Sequence, residues 1–311
     1  MLAVLPDPNR LPSTAMPKDV RDAYSADLRL QPVYTGLAGP DGSLSQVFEV
    51  PGSQCVWNET LQCPVAVVGP KYRLVPPKAL WDLAEVFCEQ FGLTVSSAGV
   101  FGDGRNQSIS LAYQERAVGS EVGEVRINLL NSCDGSSKMR VFPSIWAPHT
   151  ELVYLPLDRS EVASLTHVGA DVLDKATETT SKMLEGCLKR VTVINEAAGK
   201  KLKSLPEFQL FLRNAVYKAS TDEVLNNKGS GKGFLDRMEH LEAALHAYCG
   251  ERDASVFDAL YCYSHLLDWE PLGSRKVDIY TGSLARMSGV CYSHKAEATS
   301  LILANAGRLS W

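Results

Sequence analysis

No Cys-x-x-Cys pair occurs in this chain, although it holds eight cysteines: Cys55, Cys63, Cys88, Cys133, Cys187, Cys249, Cys262 and Cys291. Their scatter leaves no zinc-ribbon or thioredoxin-like motif. No secretory signal opens the sequence, where "MLAVLPDPNRLPSTAMPKD" has too short an apolar stretch and too many prolines. The expectation is reduced thiols in a cytoplasmic protein, many of them core fillers. No apolar run approaches the roughly 20 residues that span a bilayer, so no membrane partner is expected. GxSxG, HExxH, the Rossmann glycine pattern and the kinase signatures are all missing. The reading is therefore non-enzymatic, with no catalytic residue and no cofactor assigned. "GSGKG" (229–233) comes nearest to a phosphate loop, but Lys232 is followed by Gly233 instead of Ser or Thr, and no strand leads into it. A basic loop of this kind can still meet a phosphate through backbone N–H groups and Lys228 or Lys232.

What is present is a globular composition. The 311 residues are 45% hydrophobic and 22% charged, enough core for one large domain or two modest ones. Net charge is −5, so the chain is not coated in positive charge. The balance is uneven, however. Residues 182–237 hold eleven Lys or Arg against six Asp or Glu, a local +5, which leaves −10 for the remainder. A solvated helical face explains such a run without function; a nucleic-acid strip explains it with one.

Three regions are expected: an irregular N-terminal arm with short strands (1–65), an α+β domain with β-hairpins (66–157), and a helical region (158–311) containing the basic segment. "PKALWDLAEVFCEQF" (77–91) predicts a helix, with Pro77 in the first turn, one stripe of Leu80, Leu83, Ala84, Phe87 and Cys88, and Gly92 as the stop. Strand-like runs follow around Gly102-Asp-Gly-Arg-Asn106 and around "NSCDGSS". In the second pair Val125, Ile127 and Leu129 alternate with Glu124, Arg126 and Asn128. Asp-Gly between such runs predicts a hairpin, whose tip would be Asn131, Ser132, Asp134 and Gly135. The expected fold class is α+β, an antiparallel meander with a packed helix, then a mostly helical half. Helical spacing from Val162 to Ile194 predicts one helix of more than 30 residues or two broken near Thr180. Further helices are expected at 205–219, 234–249, 254–267 and 292–306.

His246 with Cys249, Cys262 with His265, and Cys291 with His294 each lie at i,i+3, as a metal site on a helix would need. They stand on three separate elements, so buried thiols beside satisfied histidines are the simpler reading, and no metal is assigned. Single-stranded nucleic acid calls for aromatic rings among cations. The candidates are Lys71, Tyr72 and Arg73; Lys138 and Arg140; and, in the basic segment, Lys189, Arg190, Lys200, Lys201, Lys203, Arg213, Lys218, Lys228 and Lys232.

"VGPKYRLVPPKALWDLAEVF", "LLNSCDGSSKMRV", "GKGFLDRMEHLEAALHAY" and "SGVCYSHKAEATSLIL" together resemble the successive motifs of the phage/plasmid-like protein family, also called domain of unknown function 932. Asn131, Ser132, Asp134, Gly135 and Ser136 match its hairpin phrase, and Arg140 its following arginine; "SIWAPHTEL" departs from it. The resemblance spans roughly residues 60–305. It implies a phage or plasmid source and hence the cytoplasm of a bacterial host. In layout the chain is similar to phage single-strand annealing proteins, which coat single strands as rings or filaments without ATP. The leading expectation is a DNA-metabolism protein of a mobile element that binds single-stranded DNA as a homo-oligomer. The alternative is a structural or host-interaction protein, such as an anti-defence factor.

Overall fold

The computed structural model describes residues 27–38, 44–101, 105–135, 139–148, 150–152, 163–165, 172–226, 228–229, 234–269 and 290–311. It is an α+β protein with two antiparallel sheets and, among the described residues, eight α-helices. The chain divides into two compact units. Unit 1 comprises 1–113, 127–142 and 162–181; unit 2 comprises 114–126, 143–161 and 182–311.

Unit 1 begins with a sheet of order β1 (Leu28–Ala38), β2 (Leu44–Asn58) and β3 (Cys63–Val68). Leu30 lies opposite Val56, and Val56 opposite Ala66, so period-2 alternation gathers these side chains on one face. With Leu28, Val65 and Val68 they form a cluster that also takes in Cys133, Tyr72 and Leu74. Asn58 fixes the β2–β3 turn: its Oδ1 accepts from the N–H groups of Thr60 and Leu61, each at 3.0 Å. At 15 residues β2 is far from the short strands expected over 1–65. Register shifts between Pro32 and Tyr34 and between Val56 and Trp57 break the alternation that would have announced the strands.

α1 (Pro77–Phe91) forms as its sequence predicts. Proline stands at the start, Leu80, Trp81, Leu83, Ala84 and Phe87 are buried, and Gly92 closes the helix at φ 64°. Burying side chains such as Leu80 and Phe87 stabilises by roughly 1.5–3 kcal/mol each. The second sheet has the order β4 (Thr94–Phe101), β5 (Asn106–Val118), β6 (Glu121–Ser132), β7 (Met139–Ala147) and β8 (Thr150–Leu152), with β9 (Ala163–Leu165) also paired to β7. Its first four strands are the expected meander.

β6 is the strand its alternation predicts, and both of its faces are covered: every residue from Gly123 to Ser132 is buried. Glu124, Arg126 and Asn128 are paired internally, whereas Asn131 Oδ1 is buried without a hydrogen-bond partner among the described residues. In unit 1, Ser110 Oγ donates to Asn128 Oδ1 at 2.7 Å. In unit 2, Arg126 donates twice to Glu124 Oε2, at 3.1 and 3.0 Å, and lies 4.5 Å from the centre of the Trp146 ring.

α2 (Val172–Ala198) runs through Thr180 without a break, and Thr180 is buried. The expected helical stretch upstream instead contains β9. In unit 2, α3 (Leu205–Phe211) is capped by Ser204, whose Oγ accepts from Glu207 N–H. It passes into a π-helical turn over Leu212–Tyr217, ended by Lys218 at φ 52°, where one α-helix to 219 was expected. α4 (Thr221–Leu225) carries a capping box of Ser220 and Glu223. α5 (Phe234–Cys249), α6 (Val256–Trp269), α7 (Val290–Ala304) and α8 (Ala306–Leu309) follow.

Candidate nucleic-acid interface

In unit 1, Lys71, Tyr72 and Arg73 leave β3 through a tight turn, with Tyr72 N–H donating to Gly69 O at 3.0 Å. They line an open groove of about 950 Å³ together with Leu28, Arg29, Leu30, Pro70 and Leu74. Three cations and an apolar floor thus meet in one concavity. Arg29 donates to Asp27 Oδ1 at 3.2 Å and to Oδ2 at 2.5 Å. Both side chains are largely exposed, so the pair is worth little and Arg29 can exchange its carboxylate for a phosphate. Sequence reading missed Arg29, because only the β1–β2–β3 pairing brings it beside residues some forty positions later.

Tyr72 is less open than a stacking platform needs to be. Its ring packs on the core cluster, its hydroxyl donates to Ser132 O at 3.2 Å, and burial pushes the phenol pKa above its ordinary value. The hairpin phrase explains why. Asn131 and Ser132 belong to β6 itself, not to its tip, and are buried with Cys133. Asn131 Nδ2 donates to Val75 O at 2.9 Å and to Gln107 Oε1 at 2.7 Å; Cys133 N–H donates to Arg105 O at 2.6 Å. Ser132 Oγ donates to Asp134 Oδ1. Gly135 turns the chain at φ 74°, and its backbone lies against Val68 and Tyr72. The motif thus joins the hairpin to the segment that precedes α1. Burial pushes the Cys133 thiol up to about 12. Arg140 lies on β7 opposite Ser164. Lys138 and Lys232 lie outside the described residues.

The basic segment does not present one strip. Among the described side chains of α2 the exposed positions are Ser181, Lys182, Glu185, Lys189, Thr192 and Glu196, a face of mixed sign, while Arg190 is half-buried. Lys201 pairs with Asp253 at 2.7 Å and Lys218 with Glu297 at 3.3 Å, both acids from outside the segment. Arg213 Nε donates to Asn214 Oδ1 at 3.1 Å. Lys228 is exposed, and its N–H donates to Glu223 O at 2.9 Å. Lys200 and Lys203 are half-buried.

Two further polar clusters of unit 2 escaped the sequence reading. In one, Arg237 donates to Tyr217 Oη at 3.1 Å, Tyr263 Oη donates to Tyr217 Oη at 3.3 Å, and Tyr263 and His294 share a hydrogen bond of 2.9 Å. Burial, aided by Arg237, lowers the His294 pKa, and burial raises that of Tyr263. These groups hydrogen-bond one another among the helices, around the π-helical turn. His294 is therefore committed to tyrosines, while its sequence partner Cys291 lies among side chains that are not described. Among the described residues no cluster of His, Cys, Asp and Glu is placed to hold a metal ion. The other cluster surrounds Asp258 at the start of α6.

Among the described residues no helix is long and apolar enough to cross a membrane. Comparison with protein-family models, with curated proteins and with solved structures finds no match to this chain. The family resemblance accordingly rests on the quoted motifs alone.

Proposed function

We propose that this protein binds single-stranded DNA in the DNA metabolism of a phage or plasmid, working without ATP as a homo-oligomer that brings complementary strands together. The observation that carries the reading is the unit 1 groove, where Arg29, Lys71 and Arg73 border a floor of Leu28, Leu30 and Leu74. A cationic groove with apolar and aromatic lining follows a single strand's phosphates while receiving its bases. Fluorescence anisotropy with a labelled oligothymidylate, repeated over a salt series and beside a duplex of equal length, tests it. Each neutralised phosphate of a single strand contributes about 0.7 to the salt slope, so Lys71→Ala/Arg73→Ala lowers the slope by about 1.4. Absence of binding at low salt overturns the reading, and an unchanged slope removes the groove from the site.

A second reading has an observation of its own. Tyr34, Val47 and Phe48 of the β1–β2 ribbon are more than half exposed, and so is Val67 on β3. Exposed apolar residues on a sheet suit a protein partner, from the host or from the phage. Defined oligomers or a protein complex without affinity for DNA would favour that interaction role.

A further inference from the structure

The stretch 200–203 is the middle strand of a small antiparallel arrangement within unit 2. On one side Leu202 N–H donates to Ala254 O at 2.8 Å and Val256 N–H to Lys200 O at 2.9 Å. On the other, Lys203 N–H donates to Leu309 O at 2.9 Å and Trp311 N–H to Lys201 O at 3.2 Å. The bridges so formed are Lys201 with Ser255 and Leu202 with Ser310. Leu202 and Ser310 are both buried. Alternation therefore turns Lys201, Lys203 and Trp311 to the opposite side, where Lys201 and Trp311 are cross-strand neighbours. The Trp311 side chain is 82% exposed, the most open large hydrophobic group described. Arg308, one turn earlier, is also exposed and lines a shallow groove with Glu207, Leu210 and Asn214. Local acids compensate part of the charge: Asp253 pairs with Lys201, and Glu207 shares the groove with Arg308.

A base stacks on an aromatic face that solvent can reach, with cations nearby for the flanking phosphates. Tyr72 offers only part of its ring, whereas Trp311 offers nearly all of it. We infer that Trp311 is a base-stacking platform for single-stranded DNA, with Lys201, Lys203 and Arg308 contacting the adjacent phosphates. This rests on the proposed function and adds a contact in unit 2 that the groove of unit 1 does not contain. Stacking on Trp311 is neutral, so its loss lowers affinity at every salt concentration without altering the slope; loss of the cations alters the slope.

The test is anisotropy of the 311-residue chain with labelled oligothymidylate, for the wild type, Trp311→Ala, Trp311→Phe, Lys203→Ala/Arg308→Ala, and Lys71→Ala/Arg73→Ala. Trp311→Ala is expected to weaken binding about tenfold, within the range for one stacked base, and Trp311→Phe to recover most of it. Lys203→Ala/Arg308→Ala is expected to lower the salt slope by about 1.4. Circular dichroism checks that each variant is folded. Wild-type affinity in Trp311→Ala, alongside a loss in Lys71→Ala/Arg73→Ala, overturns this inference and leaves the groove standing. A wild type that does not bind at low salt overturns both.

Discussion

Asp258 offers the sharpest test of how unit 2 is held together. Its carboxylate has no solvent exposure and accepts five hydrogen bonds. Arg252 supplies two, at 2.6 and 2.9 Å; the Ser255 N–H and hydroxyl supply two, at 2.7 and 2.8 Å; Ser120 Oγ supplies the fifth, at 3.1 Å. Ser255 Oγ in turn accepts from Asp258 N–H at 3.1 Å, so the start of α6 is capped reciprocally, and the β5–β6 turn is tied to it. Asp258→Ala leaves the buried Ser255 N–H without an acceptor, which costs about 1–3 kcal/mol. Loss of half the cap adds about 1 kcal/mol. Arg252 is about half exposed and regains water, so removing its partner costs less than the 3–5 kcal/mol typical of a fully buried pair. The expected total is about 3 kcal/mol, read as a lower urea midpoint at neutral pH by circular dichroism. Burial alone would raise the Asp258 pKa, but Arg252 and the Ser255 donors outweigh it and hold the carboxyl below its ordinary value. A depressed pKa stabilises the fold above the unfolded carboxylate range, near pH 3.9, and that contribution fades as pH falls through the folded value. The gap between wild type and variant therefore narrows in strong acid. A gap under about 1 kcal/mol at neutral pH, or one that does not change with acid, would refute this account of the cluster.

Two other substitutions follow from close packing. At Gly119 φ is 65°, and an added Cβ would stand 2.4 Å from the ring of buried Phe257, whereas at Gly92 φ is 64° with open space around it. Gly92→Ala should cost about 1 kcal/mol for the left-handed backbone alone, and Gly119→Ala about 3 kcal/mol because overpacking is added; equal losses in thermal melts would show that Phe257 yields freely. Cys133 is fully buried with its thiol pushed up to about 12. It should resist iodoacetamide in the native protein and react only after urea unfolding, with mass spectrometry of the labelled peptides as the readout; native labelling at the unfolded rate would contradict its burial.

What was legible in the sequence had a local cause. α1 could be read because proline, one apolar stripe and a glycine stop are all encoded within sixteen residues. The β6–β7 hairpin could be read because Asp134-Gly135 needs only its own backbone freedom. The complete burial of β6 was not legible for the opposite reason. Glu124, Arg126 and Asn128 look like a wet face, yet each finds a partner, and two of the partners, Ser110 and Trp146, lie on other strands. Alternation reports polarity, whereas burial also depends on whether distant groups satisfy that polarity. The long β1 and β2 were hidden by bulges that shift the phase of alternation. The placement of Trp311 beside Lys201 was invisible because Lys201 lies more than a hundred positions earlier and is joined to it by backbone pairing alone.

The charge asymmetry shows the same gap between composition and placement. The surplus over 182–237 looks like a footprint for nucleic acid, but the fold redistributes it. Glu185 and Glu196 share the exposed face of α2 with Lys182 and Lys189, and acids from beyond the segment sit on Lys201 and Lys218. These pairs are exposed and weak, so they do not cancel the cations; under the proposed function a phosphate would have to displace a carboxylate there. Arg29, Lys71 and Arg73 form a smaller set in a region of no net surplus, yet they converge on one groove. Counterion release depends on the phosphates actually neutralised, so under the proposed function cations that converge on one groove can act together on a single strand. The groove, and not the segment richest in lysine, is therefore where mutagenesis should begin.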